Sequence, residues 1–158
     1  MMIRKKLSRI ALGLLVCLFL GAAASNGIAQ SQAPGSAPTL YKRVAGYEAI
    51  AAVSDDFIGR LASDKQLARF LVGLSADSQK KLRQHVVDQL CEATGGPCIY
   101  IGRSMKVSHA GLGITEEDWQ LTVKHLVATL DKFKVPDKEK GELLAIASSL
   151  KVDIVEKK

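Results

Sequence analysis

The side chains that could bind a metal ion are few, because the chain contains only three histidines, His85, His109 and His125. A structural zinc site needs three or four converging ligands, and the sequence has no His-x-x-x-His or Cys-x-x-Cys pair to supply them. The Cys-x-x-Cys-His signature of c-type haem attachment is also absent. One imidazole is nevertheless enough for haem, because the porphyrin fills four of the six positions around the iron. The sequence therefore permits a haem site with one axial histidine and apolar walls.

The three histidines lie in different surroundings. His109 follows Met105 by four residues and precedes a glycine-containing stretch, 110–115. His85 lies at the edge of an apolar helical stripe, and His125 lies within another helical pattern. Each of them, taken alone, is explained as an ordinary core or surface histidine of a helix. The sequence therefore needs a second line of evidence before any of them is assigned to iron.

Helical periodicity dominates the elements that would position these side chains. Apolar residues recur at spacings of three and four over 46–63 and again over 82–93, where Gly95-Gly96-Pro97 predicts the end of a helix. Thr115-Glu-Glu-Asp118 resembles a capping box and predicts the start of a third helix, and Pro136 suits the start of a fourth. No segment alternates with a period of two. The expected fold is all-α, with four main helices and several short ones, which could simply pack as a bundle.

The first part of the chain predicts export. A basic start, Arg4 to Arg9, precedes an apolar run from Ile10 to Ala24, and Gly27-Ile28-Ala29 fits a small-x-small cleavage site. An uncleaved membrane anchor is the alternative, but the run is shorter than the roughly 20 residues that a span usually needs. A lipoprotein using Cys17 is disfavoured, because Val16 stands where a small residue is wanted. We expect a signal peptide over 1–29, a flexible proline-rich linker over 30–38 and a folded domain over 39–156.

The net charge carries little functional information once the signal is removed. The chain has 22 basic and 16 acidic residues, and four of the basic ones lie in the predicted signal, which leaves 18. A nearly neutral domain gives no reason to expect a nucleic-acid partner. We expect an exported, periplasmic protein that has no stable membrane association after cleavage of the signal.

Two cysteines remain in the predicted domain. Cys91 and Cys98 flank the Gly95-Gly96-Pro97 turn, so the chain can double back between them. In an oxidising compartment this arrangement predicts a disulfide bond. The alternative is two buried free thiols, because free cysteine is among the most buried side chains.

A distinctive pattern follows the turn. Gly-Gly-Pro is succeeded by Tyr-x-Gly-x-x-Met-Lys-x-x-His-x-Gly-x-Gly-Ile-Thr, which ends at Thr115. Together with the segments 40–50 and 56–61, this pattern resembles the group I truncated haemoglobins over the range from Thr39 to about Val155. The resemblance implies a two-over-two helical sandwich around a b-type haem, with His109 as the proximal iron ligand.

The resemblance also assigns side chains to the haem pocket. His125 matches a family residue away from the iron, and we interpret it as structural. Leu82 and Val86 share with His85 the helix face that the family turns towards the haem. For Trp119 and Leu126 a plain core position is the alternative. The residues that line or edge the haem in relatives are Phe57, Phe70, Tyr100, Met105, Trp119 and Leu126.

The distal side departs from the family pattern. Many relatives place Tyr where this chain has Ile58, and Gln where it has Val86. Those two polar groups usually donate hydrogen bonds to bound oxygen. His85, immediately before Val86, is then the strongest polar candidate near the iron, and we predict it as a second iron ligand. The alternative is that His85 points to solvent or to a haem propionate.

These features support several functions. The leading hypothesis is a haem protein that reversibly binds or transports oxygen or another diatomic gas, nitric oxide or carbon monoxide, and relies on an unidentified reductase. An enzymatic alternative is nitric oxide dioxygenation or a peroxidase-like activity. It is the weaker hypothesis, because stable binding of oxygen would favour the Tyr and Gln that this chain lacks. Electron transfer by a six-coordinate haem is a further alternative, and a haem-free helical interaction module is the last.

Overall fold

The structure, a computed structural model, describes residues 37–157, and this part of the chain is helical without a strand. The all-α prediction is therefore confirmed. The predicted signal peptide (1–29) and the predicted linker up to residue 36 lie outside the described residues. The helices are α1 (Leu40–Arg43), α2 (Gly46–Ser63), α3 (Ala76–Ala93), α4 (Met105–His109), α5 (Glu116–Lys132), α6 (Asp137–Ser149) and α7 (Lys151–Ile154), with a 3-10 turn at Leu67–Phe70.

Helix α2 organises the core. It packs against α3, against α5 and against the 3-10 turn. Its apolar stripe supplies Ile50 and Ala51 to one buried cluster and packs Val53 and Phe57 against a second. The first cluster joins α2 to α3 through Val87 and Cys91, and the second contains Leu40, Leu126, Leu130 and Leu143.

The ends of the main helices follow from local sequence. The Thr115 hydroxyl accepts a hydrogen bond from the Asp118 N–H at 3.1 Å, and the Asp118 carboxylate accepts one from the Thr115 N–H at 3.0 Å. This is the predicted capping box, and it starts α5. Pro136 lies immediately before α6, as predicted. Helix α3 ends at Ala93, and Gly95 adopts a φ of 80°, a conformation that favours glycine.

A tight turn follows α3. The Sγ atoms of Cys91 and Cys98 are bonded at 1.97 Å. A Cβ atom at Gly96 would lie 2.5 Å from a ring carbon of Tyr41 and 2.7 Å from the Cys91 carbonyl oxygen, so only glycine fits there. The oxidation state of the two cysteines in the cell stays a prediction. Within residues 37–157, no helix has the length and apolar character that crossing a membrane requires.

Candidate functional site

His109 is the last residue of α4, a helix of only five residues. Ser104 caps its start, and its side chain accepts a hydrogen bond from the Val107 N–H at 3.3 Å. The His109 Nδ1 atom lies 2.8 Å from the carbonyl oxygen of Met105, so Nδ1 carries the proton and donates it. This tautomer leaves the lone pair of Nε2 free, which is the form of imidazole that coordinates a metal.

The loop after His109 is held by a distant segment. Gly111 and Gly113 have φ values of 82° and 66°. Their N–H groups donate to the two carboxylate oxygens of Glu156, at 2.6 and 2.5 Å. The backbone of the same segment also pairs with this loop, because the N–H groups of Glu156 and Lys157 both donate to the Ile114 carbonyl oxygen, at 2.9 and 3.1 Å. The position of His109 thus depends on residues that lie more than 40 positions further along the chain.

His85 lies on α3 and has an unusual environment. Its Nδ1 atom is buried and has no hydrogen-bond partner, and it is the one such side-chain atom among the described residues. The ring of Tyr100 meets the His85 ring edge-on, with 5.9 Å between the centroids and 74° between the planes. The Tyr100 hydroxyl donates to the Arg103 carbonyl oxygen at 2.6 Å, which fixes the phenol. The structure thus brings together two of the predicted pocket residues, His85 and Tyr100.

Phe70 lies on the 3-10 turn, where the Arg69 guanidinium stacks 4.5 Å from its ring centroid. Arg69 also donates to both carboxylate oxygens of Asp118, at 2.8 and 2.7 Å, and the Gln66 amide donates to the same group at 2.8 Å. Asp118 is only 1 % exposed. Burial raises the pKa of its carboxyl, but the hydrogen bonds from Gln66 and Thr115 outweigh burial and leave the pKa below its ordinary value. The ionised Asp118 therefore ties the turn that carries Phe70 to the start of α5.

The His125 ring is hydrogen-bonded to another side chain of the domain. Its Nε2 atom lies 2.9 Å from a carboxylate oxygen of Asp64, whose other oxygen accepts the N–H groups of Gln66 and Leu67 at 2.8 and 3.1 Å. The His125 hydrogen bond, followed by the backbone N–H donors, lowers the pKa of Asp64. These contacts agree with a structural role for His125.

The remaining predicted pocket residues fall into two groups. Leu126 is buried in the core cluster with Leu40, and Phe57 packs against that cluster, so both also serve as core residues. Trp119 is buried as well, with 9 % of its surface exposed. The second group is half-buried and belongs to neither core cluster. It comprises Leu82 and Val86, on the same face of α3 as His85, together with Phe70, Met105 and His109. Ile58 is half-buried as well.

An apolar cavity of about 220 Å³ lies elsewhere in the domain. Side chains of α2, Leu90 of α3 and the segment 133–136 line it. None of the predicted pocket residues is among them, so this cavity is separate from the candidate site.

Sequence reasoning missed two anchors of the site. The capping box identified Asp118, but nothing local indicated that Arg69, 49 residues earlier, would pair with it. Glu156 was missed entirely, because its partners Gly111 and Gly113 lie 45 and 43 residues away. The glycines themselves were a signal, since their positive φ values place the loop backbone where an anion can reach two N–H groups.

The residues present fit a haem group. His109 offers an oriented imidazole with a free nitrogen, and partly buried apolar side chains are available as walls. The fold matches solved globins. A truncated hemoglobin from Tetrahymena pyriformis in the Fe(III) form superposes with a TM-score of 0.68 at 23 % identity, covering 75 % of this chain and 98 % of that one. The 2/2 hemoglobin of a Synechococcus species, in the cyanomet state with covalently attached heme, gives 0.68 at 26 % identity with the same coverage.

Sequence relatives agree with the structural match. The family model described as bacterial-like globin matches residues 39–156. The group 1 truncated hemoglobin GlbN of Mycolicibacterium paratuberculosis is 33 % identical over 116 residues, which cover 73 % of this chain and 83 % of that protein. GlbN of Nostoc commune is 36 % identical over 88 residues, 56 % of this chain and 72 % of that protein. The chain therefore belongs to the bacterial-like globins and, within them, to the group I truncated haemoglobins, which bind haem.

Proposed function

We propose that this globin holds haem b through His109 and reversibly binds a diatomic gas, with oxygen binding or transport as its leading role. The observation that carries the proposal is the hydrogen bond from His109 Nδ1 to the Met105 carbonyl oxygen, at 2.8 Å. It fixes the tautomer with a free Nε2 and orients the ring, as the second partner of a metal-bound histidine does. Bound at this position, haem would supply an iron atom that takes oxygen, nitric oxide or carbon monoxide as a further ligand.

We extend the proposal to His85 as a second axial ligand. Its buried Nδ1 argues against a ring that is directed into solvent. Because the protein offers that ring no hydrogen bond, His85 can turn towards iron without losing a protein partner. Val86, the next residue along the chain, and Ile58, at the position where many relatives carry Tyr, offer no polar group that could compete for it. A gas would then bind only after His85 moves away, which lowers the apparent affinity by the fraction of open sites.

Visible spectra of the purified protein test the haem assignment directly. Ferric and ferrous spectra, recorded with and without carbon monoxide, should show a haem Soret band and a response to the gas. The variant His109→Ala should lose stable haem, because it lacks the proximal bond. The matched control is His125→Gln, which replaces a histidine bound to Asp64 and should keep the spectrum. Wild-type haem content and an unchanged Soret band in His109→Ala would refute the assignment.

Electron transfer is the second candidate. It is favoured by the pairing of His85 with two apolar residues, Ile58 and Val86, at the positions where many relatives carry the donors to bound oxygen. Failure of ferrous protein to bind oxygen or carbon monoxide within seconds, together with rapid oxidation and reduction by small redox mediators, would favour this function. Consumption of nitric oxide by the oxygen complex would instead favour dioxygenation.

We further propose that the domain is exported and that Cys91 and Cys98 are disulfide-bonded in the exported protein. The basic and apolar start of the chain supports export, and the separation of 5.7 Å between the Cα atoms of the two cysteines suits a disulfide bond. Closing so short a loop should stabilise the fold by about 2–3 kcal/mol. Mass spectrometry of alkylated, unreduced protein from the periplasmic fraction shows whether the bond is present. Two alkylated cysteines would contradict the prediction.

A further inference from the structure

The helix that carries His109 cannot be stable by itself. Helix α4 has five residues, whereas isolated helices shorter than about 12–15 residues are marginal even in favourable sequences. Its start is fixed by the Ser104 cap, and it packs against α7. Its other end runs into Ala110, which leaves the helical conformation with a ψ of 129°. Something outside α4 must therefore hold the chain immediately after His109.

Glu156 makes the side-chain contacts that do so. Its two carboxylate oxygens accept the N–H groups of Gly111 and Gly113, one oxygen for each glycine. Hydrogen bonds to an ionised acceptor are roughly twice as strong as bonds between neutral groups. Both glycines have positive φ, so the loop turns its two N–H groups towards one carboxylate. Gly111 is only two residues from His109, so movement of this loop would be passed directly to the imidazole.

Backbone pairing places Glu156 accurately. The N–H groups of Glu156 and Lys157 donate to Ile114, and the N–H of Glu116 donates to the Lys157 carbonyl oxygen at 3.1 Å. Glu116 is the first residue of α5, whose start is locked by the capping box of Thr115. The segment 155–157 is thus fixed to the capped start of α5, and the Glu156 side chain reaches back from it to the loop.

We propose that Glu156 is a positioning residue for the proximal iron ligand: by holding the loop 110–114, its carboxylate sets the orientation of His109 towards the haem. The inference rests on the proposed role of His109 and adds a residue that makes no contact with the iron. Removal of the carboxylate should loosen the iron–histidine bond and speed the loss of haem, while the rest of the globin fold stays in place.

The test compares two variants of the haem-loaded protein. Glu156→Gln keeps the shape of the side chain but provides only one acceptor oxygen for the two N–H groups. The matched control is Asp153→Asn, which removes a carboxylate from α7 that is exposed and makes no ion pair or side-chain hydrogen bond with the described residues. Melting followed by circular dichroism establishes that both variants fold.

Three measurements are made on each variant. Amide hydrogen exchange of Gly111 and Gly113 in the carbon monoxide complex should accelerate on the order of tenfold in Glu156→Gln, since charge-assisted bonds are lost. Resonance Raman spectra of the ferrous protein, recorded in a His85→Leu background that keeps the iron five-coordinate, should show a broadened iron–histidine stretching band. Transfer of haem to an apoglobin acceptor should be faster. Asp153→Asn should match the parent protein in all three.

The outcomes separate the possibilities. Faster exchange combined with an unchanged Raman band and unchanged haem loss would make Glu156 a merely structural contact and overturn the proposal. Unchanged exchange would show that the carboxylate does not hold the loop in solution, and would overturn it too. The double variant His109→Ala, His85→Leu, mixed with haem and measured alongside, identifies the Raman band. If the band persists there, the ligand assignment itself fails, and the role of Glu156 fails with it on separate grounds.

Discussion

Among the three histidines, His85 is the one that makes no hydrogen bond with the described residues. Its Nδ1 is buried without a partner, and its ring is touched edge-on by Tyr100. Tyr100 is itself fixed through its hydroxyl to Arg103. No hydrogen bond within the described residues would have to break for this ring to change its orientation. The balance between closed and open iron should therefore depend on this one residue.

Replacing His85 with Leu tests that dependence. The resting protein should be largely low-spin, and His85→Leu should turn the spectrum high-spin and accelerate carbon monoxide binding by about tenfold or more, because ligand entry no longer waits for His85 to leave. Stopped-flow mixing with carbon monoxide measures the rate. Lys80→Leu, at an exposed position on another face of α3, is the control and should leave both properties unchanged. An identical spectrum and rate in His85→Leu would remove His85 from the iron.

The roles of single residues could be predicted from the sequence only where a local pattern or a motif indicates them. His109 stands in a dense pattern of Met, Gly and Thr residues, and that pattern pointed to a proximal histidine. The apolar residues at positions 58 and 86 indicated that the His85 imidazole would have few partners, but which ring nitrogen is buried depends on the fold. Glu156 could not be foreseen either, since a glutamate near the end of a polar segment resembles any other exposed carboxylate until the fold brings it to Gly111 and Gly113.

At the scale of elements, the turn after α3 leaves no room for a side chain at Gly96. Gly96 lies against the Tyr41 ring and the Cys91 carbonyl oxygen, and the second of these is backbone and cannot move freely. The turn connects α3, which carries His85, with the segment that carries Tyr100. Its geometry therefore sets the contact between these two rings.

Gly96→Ala should lower the free energy of unfolding by about 1–3 kcal/mol, because the added methyl group overlaps neighbouring atoms. The matched control is Gly141→Ala in α6, where the new methyl group meets nothing within 4 Å. That change should raise the free energy of unfolding by about 0.5–1 kcal/mol, since alanine loses less backbone entropy in a helix than glycine does. Chemical denaturation of both variants gives the values. Equal stability of Gly96→Ala and the parent would show that the turn is looser than described.

Elements with local start and stop signals were predicted well. The capping box at Thr115 and the position of Pro136 both appear where the sequence placed them. The length of α4 was not predicted, because its boundaries depend on Ser104 at one end and on a distant carboxylate at the other. The 3-10 turn at Leu67–Phe70 was also missed, since its anchors are Asp64 and Asp118 rather than any periodic pattern.

Across the whole molecule, ion pairs connect helices that are far apart in sequence. Asp56 of α2 accepts hydrogen bonds from Lys132 and Thr129 of α5 and from Arg60, and Arg43 donates to Glu139 of α6. The Lys132 hydrogen bond, followed by that of Arg60, holds the pKa of Asp56 far below its ordinary value. The Arg43 hydrogen bond lowers the pKa of Glu139 in the same way. At pH values just below about 4, the folded protein therefore keeps these carboxylates ionised, whereas the unfolded chain would protonate them.

This difference predicts loss of stability in acid. A carboxyl group with a lowered pKa in the folded state stabilises the fold above its unfolded pKa, near 4, and that contribution disappears as the pH falls towards the folded value. The free energy of unfolding should decline below about pH 5. Asp56→Asn should weaken the decline, because one of the contributing groups is gone. Denaturation of both proteins between pH 7 and pH 3 measures the difference, and identical slopes would contradict the assignment to Asp56.

The contact between Glu156 and the loop after His109 also has a consequence for the order of events during synthesis. Domains build up from the first residues made, and 45 residues separate Gly111 from the carboxylate that holds it. A nascent chain that already contains His109 and most of the globin core still lacks the segment that steadies the proximal imidazole. Firm capture of haem should therefore be a late event, completed only after the segment 155–157 has left the ribosome. A purified chain that ends after α6 should be largely helical and yet release haem readily.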